Sequence, residues 1–101
     1  MPSKKEHAKW AQYNIGEFEK CERRWTKSLK GRQPDFNALV GMYRHTYGAE
    51  INFADAGDEA NQDIAQENRK ILCGMMETIM NLSEPDDIVF IRDLWQEASS
   101  E

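Results

Sequence analysis

Apolar residues recur every three or four positions along most of this chain, and helix-capping residues separate the recurring segments. Such spacing places apolar side chains on one face of an α-helix, whereas a half-buried strand needs strict alternation. The pattern predicts helices at about 4–30, 35–47, 58–82 and 84–98. We therefore expect an all-α fold, a small bundle of about four helices in a single helical domain covering residues 1–101.

Helix 1 has a clear beginning and an interrupted apolar stripe. Ser3 and Glu6 form a capping box that predicts its start. Gly31 is expected to end it in a left-handed conformation. Glu22 stands where the apolar stripe should continue. The members of that stripe are Ala8, Ala11, Ile15, Phe18, Trp25 and Leu29.

Helix 2 carries the most regular apolar stripe in the chain. Its members are Phe36, Leu39, Val40, Tyr43 and Tyr47. Gly48 is its expected end. Apolar and polar residues then alternate over 51–53, which predicts a short extended loop between helices 2 and 3.

Helix 3 changes character halfway along its length. Its first half, up to Lys70, is mostly polar, and from Ile71 onward the segment is apolar on nearly every side. A helix that is apolar all round must be surrounded by other residues. The second half is therefore expected at the centre of the core or of an oligomer interface, and the first half is expected to face solvent.

Charge is unevenly divided between the two halves of the chain. Residues 1–50 hold ten Lys and Arg against six acids, residues 51–101 hold three against twelve, and the whole chain has a net charge of −5. Such a division predicts an electrostatic dipole. We expect either self-association or a charged partner.

The acidic half predicts a protein-binding surface. A carboxylate array can act as a phosphate mimic in the basic groove of a nucleic-acid-handling protein. By analogy with small acidic inhibitors from mobile elements, we expect an interaction protein that binds and inhibits or modulates another macromolecule through this charged face. Helix capping explains about half of the acids there without a partner. The candidate contact residues are Asp63, Glu67, Asp86, Asp87 and Asp93.

The basic face of helix 1 supports a second hypothesis, a nucleic-acid-binding regulator. Cations neutralise phosphates, and aromatic rings stack on bases. A solvated surface with local pairing between Lys and Glu would have the same composition. The candidate contacts are Trp10, Tyr13, Lys20, Arg23, Arg24 and Lys27.

No pattern indicates catalysis, a metal site or a cofactor. Cys21, Cys73, His7 and His45 are the potential soft ligands, and no two have the spacing of a zinc motif. No phosphate-cradling glycine loop is present. We therefore expect no enzyme activity, no metal and no cofactor. With only two cysteines, no apolar run long enough for a bilayer and no secretory signal, a cytoplasmic location is expected.

Self-association follows from the surplus of apolar residues on helices 3 and 4. We expect a homodimer in which these helices form the apolar centre and helix 1 contributes basic residues at the rim. The alternative is a monomer whose own basic helix 1 lies across its acidic helices.

Overall fold

The computed structural model describes residues 2–31 and 34–82, and these residues fold into three α-helices. Helix α1 spans Lys4–Lys30, α2 spans Phe36–Asp55 and α3 spans Glu59–Leu82. No strand occurs in the described ranges, so the all-α class is confirmed. The bundle was predicted to contain about four helices, and three are described. The helix predicted at 84–98 lies outside the described residues.

Short polar side chains cap all three helices by accepting a backbone N–H from three residues further on. The caps are Ser3 for α1 at 3.1 Å, Asp35 for α2 at 3.1 Å and Asp58 for α3 at 3.2 Å. Gly31 has a right-handed φ of −82°, so its predicted left-handed ending is wrong. The left-handed glycine is Gly57, with φ of 76° in the turn between α2 and α3.

Helix α2 does not stop at Gly48, and the predicted extended loop is wrong. The helix continues to Asp55 and carries Phe53 into the interior, where that side chain is 4% exposed. The helical spacing of buried residues in fact runs on through Thr46, Ala49 and Phe53. A Cβ at Gly48 would lie 2.8 Å from the Asn14 side-chain oxygen. This glycine therefore permits close approach of α1 and does not end the helix.

Helix α2 is the central element of the described chain. Helices α1 and α3 each pack extensively against it, and they make few contacts with each other. Arg24, near the end of α1, contacts Asp35 at the start of α2, so α1 and α2 are antiparallel. Ala49 and Phe53, late in α2, share a core cluster with Ala65 of α3, whereas Leu39, early in α2, shares a cluster with Leu72 and Met76 further along α3. Helices α2 and α3 are therefore antiparallel as well. Helices α1 and α3 therefore run in the same direction on two sides of α2.

The core consists of two clusters along α2. The larger one contains Cys21, Trp25, Ala38, Leu39, Met42, Tyr43, Leu72 and Met76. The smaller one contains Ala11, Ala49, Phe53 and Ala65. Leu39, Leu72 and Met76 are the largest side chains with almost no exposed surface. The second half of α3 thus supplies core residues, as predicted, but it is not surrounded, because Ile71 is 61% exposed.

Helices α1 and α2 approach each other closely at Gly41. A Cβ placed on this glycine would lie 2.6 Å from the Cys21 sulfur, well inside van der Waals contact. Trp25, one turn further along α1, packs against Phe36 with ring centroids 6.1 Å apart. The missing side chain at Gly41 therefore allows the two helices to pack closely.

Within the described ranges, none of the three helices combines the length and the apolar character needed to cross a bilayer.

Candidate functional site

An apolar groove of about 680 Å³ opens between α1 and α3, with α2 as its floor. It exists because α1 and α3 pack on α2 but scarcely touch each other. The apolar lining comes from all three helices. Its members are Ile15 and Phe18 of α1, Ala49 and Phe53 of α2, and Ile64, Ala65 and Ile71 of α3.

The wall formed by α3 presents two exposed isoleucines to this groove. Ile64 is 66% exposed and Ile71 is 61% exposed, seven residues apart on the same face of the helix. Burying an aliphatic side chain of this size contributes about 1.5–3 kcal/mol. Leu72 and Met76 carry the contact with α2, so the two isoleucines are left facing the opening. Covering them with another apolar surface is therefore favourable.

Four carboxylates line the groove together with these apolar residues. Glu19 and Glu22 come from α1, and Asp63 and Glu67 come from α3. None of the described residues that line the groove is a lysine or an arginine. Glu67 is within 3.4 Å of the Lys70 ammonium, in a pair that is largely exposed to solvent and therefore weak. The groove is negatively charged and suited to a cationic ligand.

The structure brings two of the predicted acidic contact residues, Asp63 and Glu67, to the groove. The other three, Asp86, Asp87 and Asp93, lie outside the described residues. The contribution of Glu19 was not predicted from the sequence. The one signal nearby was Glu22, which stands where the apolar stripe of helix 1 should continue.

Two reciprocal histidine–asparagine pairs connect α1 to α2. His45 Nδ1 lies 3.0 Å from Asn14 Oδ1 at the floor of the groove, and His7 Nδ1 lies 3.1 Å from Asn52 Oδ1. Each asparagine amide donates to the carbonyl four residues earlier on its own helix. The side-chain oxygen of each asparagine can therefore accept a hydrogen bond, and each histidine donates that bond from Nδ1. The histidines thus have structural partners, and no described group of three or more His, Cys, Asp or Glu is arranged to hold a metal.

An ion pair fixes α3 against α2 on the far side of the groove. Arg69 donates from Nε and Nη2 to the two Glu50 oxygens at 2.6 and 3.3 Å, and both side chains are mostly buried. The guanidinium also lies 5.2 Å from the centre of the Tyr47 ring. Hydrogen bonding to Glu50 raises the pKa of Arg69 above its ordinary value. Because Glu50 neutralises the Arg69 guanidinium, Arg69 does not offset the negative charge of the groove.

The cysteines do not form a reactive centre. Cys21 is buried, Cys73 is partly buried, and both thiols are free. Burial raises the pKa of the Cys73 thiol. A thiol with a raised pKa is a poor nucleophile at neutral pH.

The predicted basic face of α1 is partly engaged in internal ion pairs. Lys20 contacts Glu17 at 3.1 Å, and Arg24 contacts Asp35 at 3.1 Å. The aromatic members remain accessible, since Tyr13 is 64% exposed. Trp10 is 43% exposed and packs edge-on against His7.

The other predicted cations, Arg23 and Lys27, line a second depression of about 340 Å³ near the end of α1. Lys30 and Thr26 also line it, and Glu22 belongs to both this depression and the groove. The depression therefore extends the groove along α1. The charged lining residues are acidic in the groove and mostly basic in the depression. We call it the basic depression.

No family model, curated protein or solved structure matches this chain.

Proposed function

We propose that this chain is a small protein-binding module that takes a basic amphipathic helix of a partner protein into the groove between α1 and α3. The observation that carries the proposal is the combination of two exposed isoleucines, Ile64 and Ile71, with four carboxylates and no lysine or arginine among the described lining residues. An amphipathic helix binds an apolar groove through residues spaced three, four and seven apart. Basic residues that flank such a stripe would meet the carboxylates at the groove edges.

The charge of the groove supports recognition as well as affinity. A cluster of acids on a chain with a net charge of −5 steers a cationic partner toward the groove and speeds association at low salt. The apolar floor then stabilises the complex, because apolar burial is less sensitive to salt.

Binding of this kind would inhibit or modulate the partner. Basic amphipathic surfaces contact nucleic acids through their cations. A partner that uses such a helix to contact nucleic acid would lose that contact while the helix lies in the groove.

A nucleic acid bound to the basic face of α1 is a second candidate, favoured by the exposed rings of Tyr13 and Trp10. The overall charge favours the groove over it, because the chain is acidic where nucleic-acid-binding domains are usually basic.

The test uses a designed helical peptide with a leucine stripe flanked by lysines, measured by fluorescence anisotropy against the full chain. A second peptide with glutamates in place of the lysines is the peptide control. We expect the lysine peptide to bind, the glutamate peptide to bind at least about tenfold more weakly, and the affinity to fall as salt rises.

Matched variants locate the binding site. In the groove variant, Asp63→Lys and Glu67→Lys are combined. In the control variant, Asp55→Lys and Glu77→Lys are combined, at exposed acids that do not line the groove. Both pairs raise the net charge from −5 to −1. We expect the groove variant to lose at least about tenfold in affinity and the control to lose much less.

Three results would refute the proposal. They are equal losses in the two variants, absence of lysine-peptide binding at low salt, and salt-sensitive gel shifts of DNA or RNA that the α1 substitution Arg23→Glu abolishes.

A further inference from the structure

We infer that the partner helix is charged in two blocks, with basic residues over the groove and acidic residues over the basic depression. This inference rests on the proposed function and deepens it, because it specifies the order of charges along the helix that the groove takes. The groove and the basic depression then form one docking surface along α1, and the depression decides which basic helices are accepted.

The two openings are continuous and lie along the same helix. Glu22 lines both of them, Glu19 lines the groove about one turn earlier, and Lys27 lines the depression beyond. From Glu19 to Lys27, α1 rises about 12 Å, which is slightly more than two turns. A helix that lies along α1 and reaches past Glu22 therefore places one section over the groove and the next section over the depression.

The apolar surface that a partner helix can cover also continues past the groove. Leu29 is 49% exposed and directly precedes Lys30, which lines the depression. It lies fourteen residues after Ile15 of the groove lining. Fourteen residues make about four helical turns, so these two side chains share one face of α1. A helix that ends within the groove leaves Leu29 uncovered, whereas a helix that continues over the depression can bury it.

The cations of the basic depression are available to a ligand. Arg23, Lys27 and Lys30 are exposed and line it, with Glu22 as the carboxylate beside them. Within the part of the chain that the structure describes, the cations of α1 that form ion pairs with carboxylates are Lys20 and Arg24. The depression therefore has a net positive charge that acidic side chains of a partner can neutralise.

The two neighbouring charges give specificity by repulsion as well as by attraction. A helix with lysines along its whole length meets the acids of the groove favourably, but it places its remaining lysines against Arg23, Lys27 and Lys30. Like charges that face each other across an interface are costly, and discrimination between partners often depends on such repulsion. Acids in the second section of the helix replace this repulsion with attraction. The surface therefore prefers a two-block helix to a uniformly basic one.

Three peptides with the same leucine stripe test the charge order on the unmodified chain. Each has about 20 residues, about 30 Å as a helix, and so covers both openings. The first is the lysine peptide. The two-block peptide has lysines in one half and glutamates in the other; it is made in both orders, and the tighter binder is used, since a helix can lie along α1 in either direction. The alternating peptide has the same composition and net charge, with its lysines and glutamates interspersed.

Fluorescence anisotropy at about 0.1 M salt compares the three affinities. The Debye length is then about 10 Å, so charges in contact matter more than the net charge of each molecule. We expect the two-block peptide to bind at least about tenfold more tightly than the alternating peptide, and also more tightly than the lysine peptide.

Charge reversal in the basic depression locates the acidic block. Arg23→Glu combined with Lys27→Glu should reverse the preference, so that the lysine peptide binds more tightly than the two-block peptide. In the control, Lys5→Glu is combined with Lys9→Glu, at exposed lysines of α1 that line neither opening. Both pairs change the net charge from −5 to −9, and the control should keep the preference. Thermal unfolding followed by circular dichroism checks that both variants are folded.

Three results would overturn the inference. They are equal affinities for the two-block and alternating peptides, a two-block preference that survives charge reversal at Arg23 and Lys27, and binding of labelled single-stranded DNA that this reversal abolishes. The last result would assign the basic depression to a nucleic acid.

The lysine peptide separates this inference from the proposed function. If it binds and depends on Asp63 and Glu67, while the two-block peptide binds no more tightly than the alternating one, the inference fails and the proposed function stands. If no peptide binds even at low salt, the proposed function fails and the inference fails with it.

Discussion

Gly41 offers a quantitative test of the close approach between α1 and α2. Replacing a glycine inside a helix by alanine stabilises the helix by about 1 kcal/mol. At Gly41 the new Cβ would lie 2.6 Å from the Cys21 sulfur, which must move inside a packed interior because Cys21 is only 8% exposed. Forcing an extra methyl group into such a contact costs about 1–3 kcal/mol. Gly41→Ala should therefore lower the free energy of unfolding by about 0–2 kcal/mol.

Two comparisons separate the effect of the contact with Cys21 on stability from the effect of helix propensity. Gly74 lies inside α3, and a Cβ there would meet nothing within 4 Å. Gly74→Ala should therefore raise the stability by about 1 kcal/mol. In a Cys21→Ala background the sulfur is gone, and the next atom at Gly41 is the residue-21 Cβ at 3.6 Å, an ordinary contact. Gly41→Ala should then stabilise by about 1 kcal/mol as well.

Urea denaturation followed by far-UV circular dichroism measures each free energy of unfolding. The cycle formed by Gly41→Ala and Cys21→Ala should show a coupling of about 1–3 kcal/mol. If Gly41→Ala stabilises the protein as much as Gly74→Ala when Cys21 is present, the two helices are further apart than described and the reasoning is wrong.

Three further predictions follow from the polar contacts. Glu50→Gln should destabilise by about 3 kcal/mol in urea denaturation, because it leaves the mostly buried Arg69 guanidinium without its carboxylate; recovery of most of that loss by adding Arg69→Met would support this cause. Asp35→Ala should cost about 1 kcal/mol at pH 7 through loss of the α2 cap. The Ala38 N–H holds the pKa of Asp35 below its ordinary value, so this contribution is present above the unfolded pKa and is lost as the pH falls through the folded pKa; a difference that stays constant down to pH 2 would contradict it. The Cys73 thiol should react with a disulfide reagent at pH 8 more slowly than free cysteine, since burial raises its pKa, and equal rates would contradict this.

The sequence determined the local structure well where the signal is itself local. The start of α1 follows from Ser3 and Glu6, because a side-chain cap and the N–H that it accepts are three residues apart. The all-α class follows in the same way from apolar residues at helical spacing. The basic face of α1 and the acidic residues of α3 were also visible from the sequence, since charge needs no fold to be counted.

Tertiary packing decided the features that local signals cannot specify. Gly48 is a typical helix-ending residue, but α2 continues through it and buries Ala49 and Phe53 beyond it. The glycine is needed there because Asn14 of α1 occupies the space that a side chain would need. Ile71 belongs to an apolar run and is nevertheless exposed, because α3 contacts α2 through Leu72 and Met76 and has few contacts with α1. A helical pattern shows which residues share a face, but the neighbour that covers that face depends on residues far away in the chain.

The groove is the clearest case of this division. The sequence predicted Asp63 and Glu67 as contact residues and showed Glu22 as an interruption of the apolar stripe of helix 1. Only the placement of α1 and α3 on the two sides of α2 brings Glu19 and Glu22 to the same opening as Asp63 and Glu67. The carboxylates and the apolar residues were readable in the sequence, whereas their assembly into one site required the tertiary structure, because it joins side chains more than forty residues apart.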